Sequence, residues 1–92
     1  MRFEWDAAKA RANLAKHRVS FELATRVWDD PLYEITFDGI VDGEERWIAI
    51  GVVRGTTILV VVHTNPDPED DQRVRIVSAR RATSRERRDH EQ

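Results

Sequence analysis

The chain has 92 residues, 15 lysines and arginines against 17 acids, and a formal net charge of -2. That length supports one domain with a thin core, burying roughly 60% of the surface of its unfolded chain. The charge excludes a general nucleic-acid coat, which is basic overall, and the lack of cysteine excludes a disulfide framework and a thiolate metal site.

The chain opens with RFEW (Arg2–Trp5), a short strand with Phe3 and Trp5 on one face. Acids by position 6 and no apolar h-region speak against a signal peptide, so a cytoplasmic location is expected. Asp6 is a good N-cap for AAKARANLAKH, a helix with Ala7, Ala10, Leu14 and His17 on one stripe. Arg18 then stands where glycine most easily ends a helix. Ser20 caps a second helix, FELATRVW, with Phe21, Ala24, Val27 and Trp28 as its apolar stripe. Asp29–Pro31 ends it, because proline disfavours a helical residue before it.

The rest is strand-rich. LYEITF alternates, and two Asp-Gly pairs, at Asp38 and Asp42, punctuate the chain after it. ERWIAIGVV is a strand, RGT a tight turn, and TILVVVHT a buried strand whose apolar run is too short to span a bilayer. NPDPEDD is an acidic loop, QRVRIVSAR the last strand, and Thr83-Ser84-Arg85-Glu86 a capping box opening a short helix. The order β-α-α-β-β-β-β-α predicts an α+β fold, a small antiparallel sheet with two N-terminal helices and one C-terminal helix.

Seven arginines fall in RVRIVSARRATSRERR, from Arg73 to Arg88. Simple alternation points Val74, Ile76, Ser78 and Arg80 one way, and Arg73, Arg75, Val77 and Ala79 the other. Such arginines suit a phosphate backbone; they equally suit pairing with the acids of DPEDD and with Glu44 and Glu45. Arg85, Arg87 and Arg88 read as a solvated helix face.

The histidines are His17, His63 and His90. None has the spacing of a metal-ligand pair, so no metal site is expected. His17 ends a helix, where its cation is favoured and Lys16 adds charge. His63 reads as a satisfied core or edge histidine, and His90 as a frayed terminal residue. The acidic run at Asp67–Asp71 lacks the spacing and glycine of a calcium loop. The tryptophans are core anchors; Trp5, preceding the helix with Lys16 and His17, is the candidate for base stacking. No glycine-rich phosphate loop or coenzyme fingerprint is present, so no cofactor is expected.

The runs FEWD, NLAKH, VSFE, DDP, GEERWIAIG, LVVVHT and RIVSARRATSRER, in this order and spacing, resemble the BrnT family of bacterial toxins over nearly the whole chain. The resemblance implies a RelE-like fold and a ribonuclease toxin of a type II toxin–antitoxin pair that inhibits translation. It also implies a BrnA-like antitoxin whose ribbon-helix-helix part binds operator DNA, in an assembly of two toxins and two antitoxins. The chain departs from the pattern at Arg18, in the long acidic link NPDPEDDQ, and at His90, where a tyrosine is common.

Metal-free cleavage by the RNA 2′-hydroxyl requires proton transfer and cations for the developing phosphorane charge. The expected catalytic set is Arg80 and Arg46 on the phosphate, His17 carrying a proton, and Lys16 assisting. Arg46 equally suits pairing with Glu44 or Glu45. Arg75, Arg81 and Trp5 are the expected RNA contacts. Two other readings remain open at this point: a non-catalytic module that binds an antitoxin-like partner and assists DNA repression, and a small binder of single-stranded nucleic acid.

Overall fold

The Asp6 carboxylate accepts the Lys9 N–H at 2.9 Å, and the Ser20 hydroxyl accepts the Leu23 N–H at 3.0 Å. These two caps divide the first third of the chain as its sequence implies. The structure is a computed structural model that describes residues 1–91. It runs β1 (Arg2–Glu4), α1 (Ala7–His17), α2 (Phe21–Ala24), a 3₁₀ turn (Thr25–Asp29), β2 (Glu34–Val41), β3 (Glu44–Val53), β4 (Thr57–Thr64), β5 (Arg73–Arg81) and α3 (Ser84–Glu91). The α+β class and the element order are as expected, with one refinement. The second helix is α-helical only to Ala24 and then tightens, as the Thr25 hydroxyl turns back to donate to Glu22 O at 2.7 Å. Arg18 takes the left-handed conformation, φ 59°, and its N–H closes on Leu14 O. The glycine position is thus filled by a strained arginine.

The sheet order is β1-β5-β4-β3-β2. Strands β2 to β5 form the antiparallel meander, while β1 lies parallel to β5, with Arg2 opposite Arg73 and Glu4 opposite Arg75. The sheet is therefore mixed rather than wholly antiparallel. No hairpin dictates the direction of β1, because two helices separate it from the other strands.

The core fills one face of the sheet. Val19, Phe21, Ala24 and Val27 from the helical segment meet Ala49, Val53, Leu59, Val61, Ile76 and Ala79 from the strands. Gly51 lets the layers close: a Cβ there would stand 3.0 Å from Val27 Cγ1 and 3.1 Å from Val27 O. On α1 the inward stripe is the expected one only in part: Ala10 packs on the core and His17 is half-buried, but Ala7 and Leu14 face outward. Leu14 is 48% exposed, and Asn13 is buried instead.

Asn13 takes the place of a missing strand. Its Oδ1 accepts the Ala79 N–H at 3.1 Å, and its Nδ2 donates to Ala79 O at 2.8 Å and to Val19 O at 3.0 Å. β1 covers β5 only from Arg73 to Arg75, so further along this edge the Asn13 amide supplies the partner that the backbone needs. Asn13→Ala leaves buried peptide groups unpaired, each costing about 1–3 kcal/mol. The urea midpoint of Asn13→Ala is expected to fall by an amount equal to several such hydrogen bonds, and Asn13→Asp, which keeps one acceptor and loses the donor, should not rescue it.

Candidate nucleic-acid interface

β5 is not a regular strand. Val62 is opposite Ser78, but His63 is opposite Ile76, so Val77 has no partner and forms a bulge. The bulge changes which residues share a face. Val74 and Ile76 before it, and Ala79 after it, are buried on the helix side. Arg73 and Arg75 before it, and Ser78 and Arg80 after it, face the other way. The simple alternation that grouped Arg80 with Val74 and Ile76 is corrected: Arg80 shares its face with Arg75. Arg81, opposite core residue Leu59, sits on the helix-side face at the strand end and is exposed.

On this second face, Arg75 lies opposite Thr64, and Arg80 opposite Val60. Arg46, next to Trp47 on β3, falls on the same face beside Thr64. Arg75 and Arg46 thus flank Thr64, and Arg80 lies about 13 Å further along the sheet. Among the described residues the buried Arg46 Nε has no partner, nor has the buried Thr64 hydroxyl. Among the described residues Arg46 pairs with neither Glu44 nor Glu45.

The β5 arginines are held by carboxylates. Arg73 Nε donates to Glu4 Oε1 at 2.6 Å, and Arg75 reaches Glu4 at 3.3 Å and Glu44 at 3.7 Å. Glu4 was unforeseen; its approach comes from the parallel pairing of β1, and the Arg73 hydrogen bond holds its carboxyl below the usual range. Arg80 donates end-on to Glu86, Nη1 to Oε1 at 2.7 Å and Nη2 to Oε2 at 2.9 Å. Its Nη1 also reaches Arg81 O at 3.3 Å. The Nε–H and second Nη2 hydrogen, a parallel pair along the side of the fork, remain for another acceptor.

Glu86 also closes the capping box. It accepts the Thr83 N–H at 2.9 Å, while its own N–H donates to the Thr83 hydroxyl at 3.1 Å. The Arg80 hydrogen bond is the main reason its carboxyl is lowered to about 2. One turn on, His90 is not frayed. Its side chain is 6% exposed, with Nδ1 within 3.1 Å of Glu34 Oε1, off the line of a hydrogen bond, and Nε2 4.0 Å from Asp30. Asp30 itself accepts the Val52 and Leu32 N–H groups, which hold its carboxyl low.

The other candidates lie apart. Lys16 and His17 end α1; no hydrogen bond or ion pair joins them to the arginines among the described residues. His17 is one helical turn beyond Asn13, which grips the residue before Arg80. Trp5 packs edge-on against Phe21, ring centroids 5.9 Å apart, so its ring belongs to the core. His63 is a core histidine, but not a satisfied one: among the described residues neither ring nitrogen has a partner, and burial pushes its pKa down to about 4. Among the described residues no three histidine or carboxylate side chains converge to hold a metal ion.

A family model described as "Ribonuclease toxin, BrnT, of type II toxin-antitoxin system" matches residues 5–86. The fold is similar to that of the Brucella abortus ribonuclease toxin BrnT, with a TM-score of 0.59 and 24% identity over 91% of this chain and 99% of that one. No protein with a curated description matches the chain.

Among the shifted groups, Glu86 and His63 make stability depend on pH in separable windows. Glu86 is lowered from 4.5 to about 2, so the stability that it adds is complete above pH 4.5 and is lost as pH falls through 2. Glu86→Gln should flatten the fall of melting temperature in that window. His63 is lowered from 6.5 to about 4, so the unfolded chain takes up this proton first and stability drops from pH 6.5 downward toward 4. His63→Phe should remove that component and leave the Glu86 component in place.

Proposed function

The chain belongs to the BrnT family of ribonuclease toxins of type II toxin–antitoxin systems, and from this premise we propose that it cleaves RNA without a metal ion, on the second face of the sheet. The observation that carries the reading is the bulge at Val77, which gathers Arg75 and Arg80 on one face with Arg46. A row of guanidinium groups, with the half-buried Ser78 between Arg75 and Arg80, suits a chain of phosphates.

In the proposed mechanism the side edge of Arg80 takes the scissile phosphate while its end-on edge stays on Glu86. Glu86 then orients the fork rather than blocking it. Arg75, clamped between Glu4 and Glu44, holds a neighbouring phosphate, and Arg46 contributes charge from β3. His17, at the end of α1 and held near β5 through Asn13, transfers the proton, with Lys16 raising the local positive charge. Arg81 and Trp5 fall outside this set, the first on the opposite face and the second packed on Phe21.

Cleavage is expected to lower translation, with the toxin neutralised by a BrnA-like antitoxin that carries the operator-binding part. A second reading rests on the carboxylates already paired with Arg73, Arg75 and Arg80: these arginines then brace the fold, and the chain is a non-catalytic module for that partner.

Purified chain incubated with total RNA in EDTA should cut it. Arg80→Ala should lower the rate by about 10²-fold or more with the circular dichroism spectrum unchanged, and Arg80→Lys, which keeps the charge and loses the fork, should recover little. His17→Ala should lower the rate with the circular dichroism spectrum unchanged. RNA left intact both in buffer and in a translating extract would favour the non-catalytic module.

A further inference from the structure

β2 is the outer strand of the sheet, with nothing paired to its free edge among the described residues. The helix layer packs on β3 through the 3₁₀ turn and leaves the helix-side residues of β2 largely exposed. On the helix side, Ile35 and Phe37 lie opposite Ala49 and Trp47, and Ile40 opposite Glu45. Ile35 is 42% exposed, Phe37 49% and Ile40 65%. Phe37 is stacked edge-on against Trp47, centroids 5.1 Å apart, so the stripe is an ordered surface. Beside it opens a small cavity lined by Trp28, Tyr33, Ile35, Trp47 and His63. His63, 4% exposed, is one of its lining residues, and among the described residues both of its buried ring nitrogens are without a partner. A contiguous apolar stripe on an unpaired edge marks a protein-binding site in a soluble chain.

Charge selects the occupant. From Asp29 to Val53 the sequence holds seven acidic residues and a single arginine, Arg46. RNA is repelled from such a rim. A second copy paired through the same edge would bring Glu34 and Asp38 against their own like charges. The complement of this surface is an extended segment with apolar side chains on one face and lysine or arginine beside them.

We propose that β2 is the docking strand for the antitoxin, which adds a basic, apolar-alternating segment to the free edge and seats an apolar side chain in the cavity floored by His63. This mode is β-augmentation: backbone hydrogen bonds along the edge give affinity, and the alternate pockets give specificity. It rests on the toxin reading above. It leaves the arginine face uncovered by the docked strand itself, so neutralisation needs either a further part of the antitoxin over that face or exclusion of the ribosome by bulk.

The test co-expresses the full chain with the antitoxin from its own operon and tracks hydrogen exchange of the purified complex against the chain alone. The β2 amides that have no partner in β3 should be protected in the complex. Ile35→Glu and Ile40→Glu, both exposed and outside the arginine face, should each weaken binding by about 10²-fold while the urea midpoint and RNA cleavage stay as in wild type. Asp38→Lys should weaken it by about tenfold and make it less sensitive to salt. Protection confined to the arginine face, no complex at all, concentration-dependent protection of β2 in the chain alone, or protection of β2 by RNA would each overturn the proposal. An antitoxin complex with β2 protected, together with RNA that stays intact, would instead fault the ribonuclease reading and leave the docking strand standing.

Discussion

The bulge at Val77 is the constraint on which the two faces of the sheet depend. Without it, alternation along β5 would turn Ala79 outward and drive Arg80 beneath the helices, among Leu59, Val61 and Phe21. A guanidinium buried there without a partner costs several kcal/mol, a large part of the stability of a domain this small. With it, Ala79 faces Asn13, the α1 helix can lie against the β5 edge, and Arg80 reaches the face that holds Arg75. One unpaired residue therefore sets both the core and the charged surface.

How far the fold was legible depends on the range of each interaction. The caps at Asp6, Ser20 and Thr83 act within three residues, so their effect can be read from the chain itself, and all three form. The parallel pairing of β1 joins residues about seventy apart, and nothing in RFEW names its partner. The Glu4 pairs with Arg73 and Arg75 come with that pairing and were equally hidden. The bulge carries no glycine or proline to announce it, so the period of two misplaced Arg80 although its charge was recognised. His90 looked terminal because it is so near the chain end in sequence; in space it is inserted between Asp30 and Glu34. The arginines were thus legible as a group, and their common face was not.

A near-neutral total conceals two opposed surfaces. The arginines concentrate on β5 and α3, and the acids between Asp29 and Glu45 and in the loop from Asp67 to Asp71. Electrostatic attraction of this kind acts through local potential rather than total charge. A basic face can attract RNA while the acidic edge keeps the rest of the molecule from adhering to it. Where Arg2 pairs with Asp70, and Arg75 with Glu44, the two regions meet and fix one another, so the separation is built into the fold.

In the proposed mechanism RNA would reach Arg80 either with α3 in place or by displacing it, and the energies decide between the two. On the second face Val60 and Ile58 are buried at 2% and 5% exposure, and α3 spans that side from its Glu86 pair with Arg80 on β5 to His90 beside Glu34 on β2. Lifting it would expose both residues, at about 1.5–3 kcal/mol each. It would also break both Arg80–Glu86 bonds and draw His90 away from Asp30 and Glu34. A new phosphate–arginine contact returns about 1.5–3 kcal/mol, less than the sum. The balance keeps α3 docked, with Glu86 on the end of the Arg80 fork and the side edge left for the phosphate of the proposed mechanism. The carboxylate that neutralises Arg80 in the resting chain is then the group that aims it.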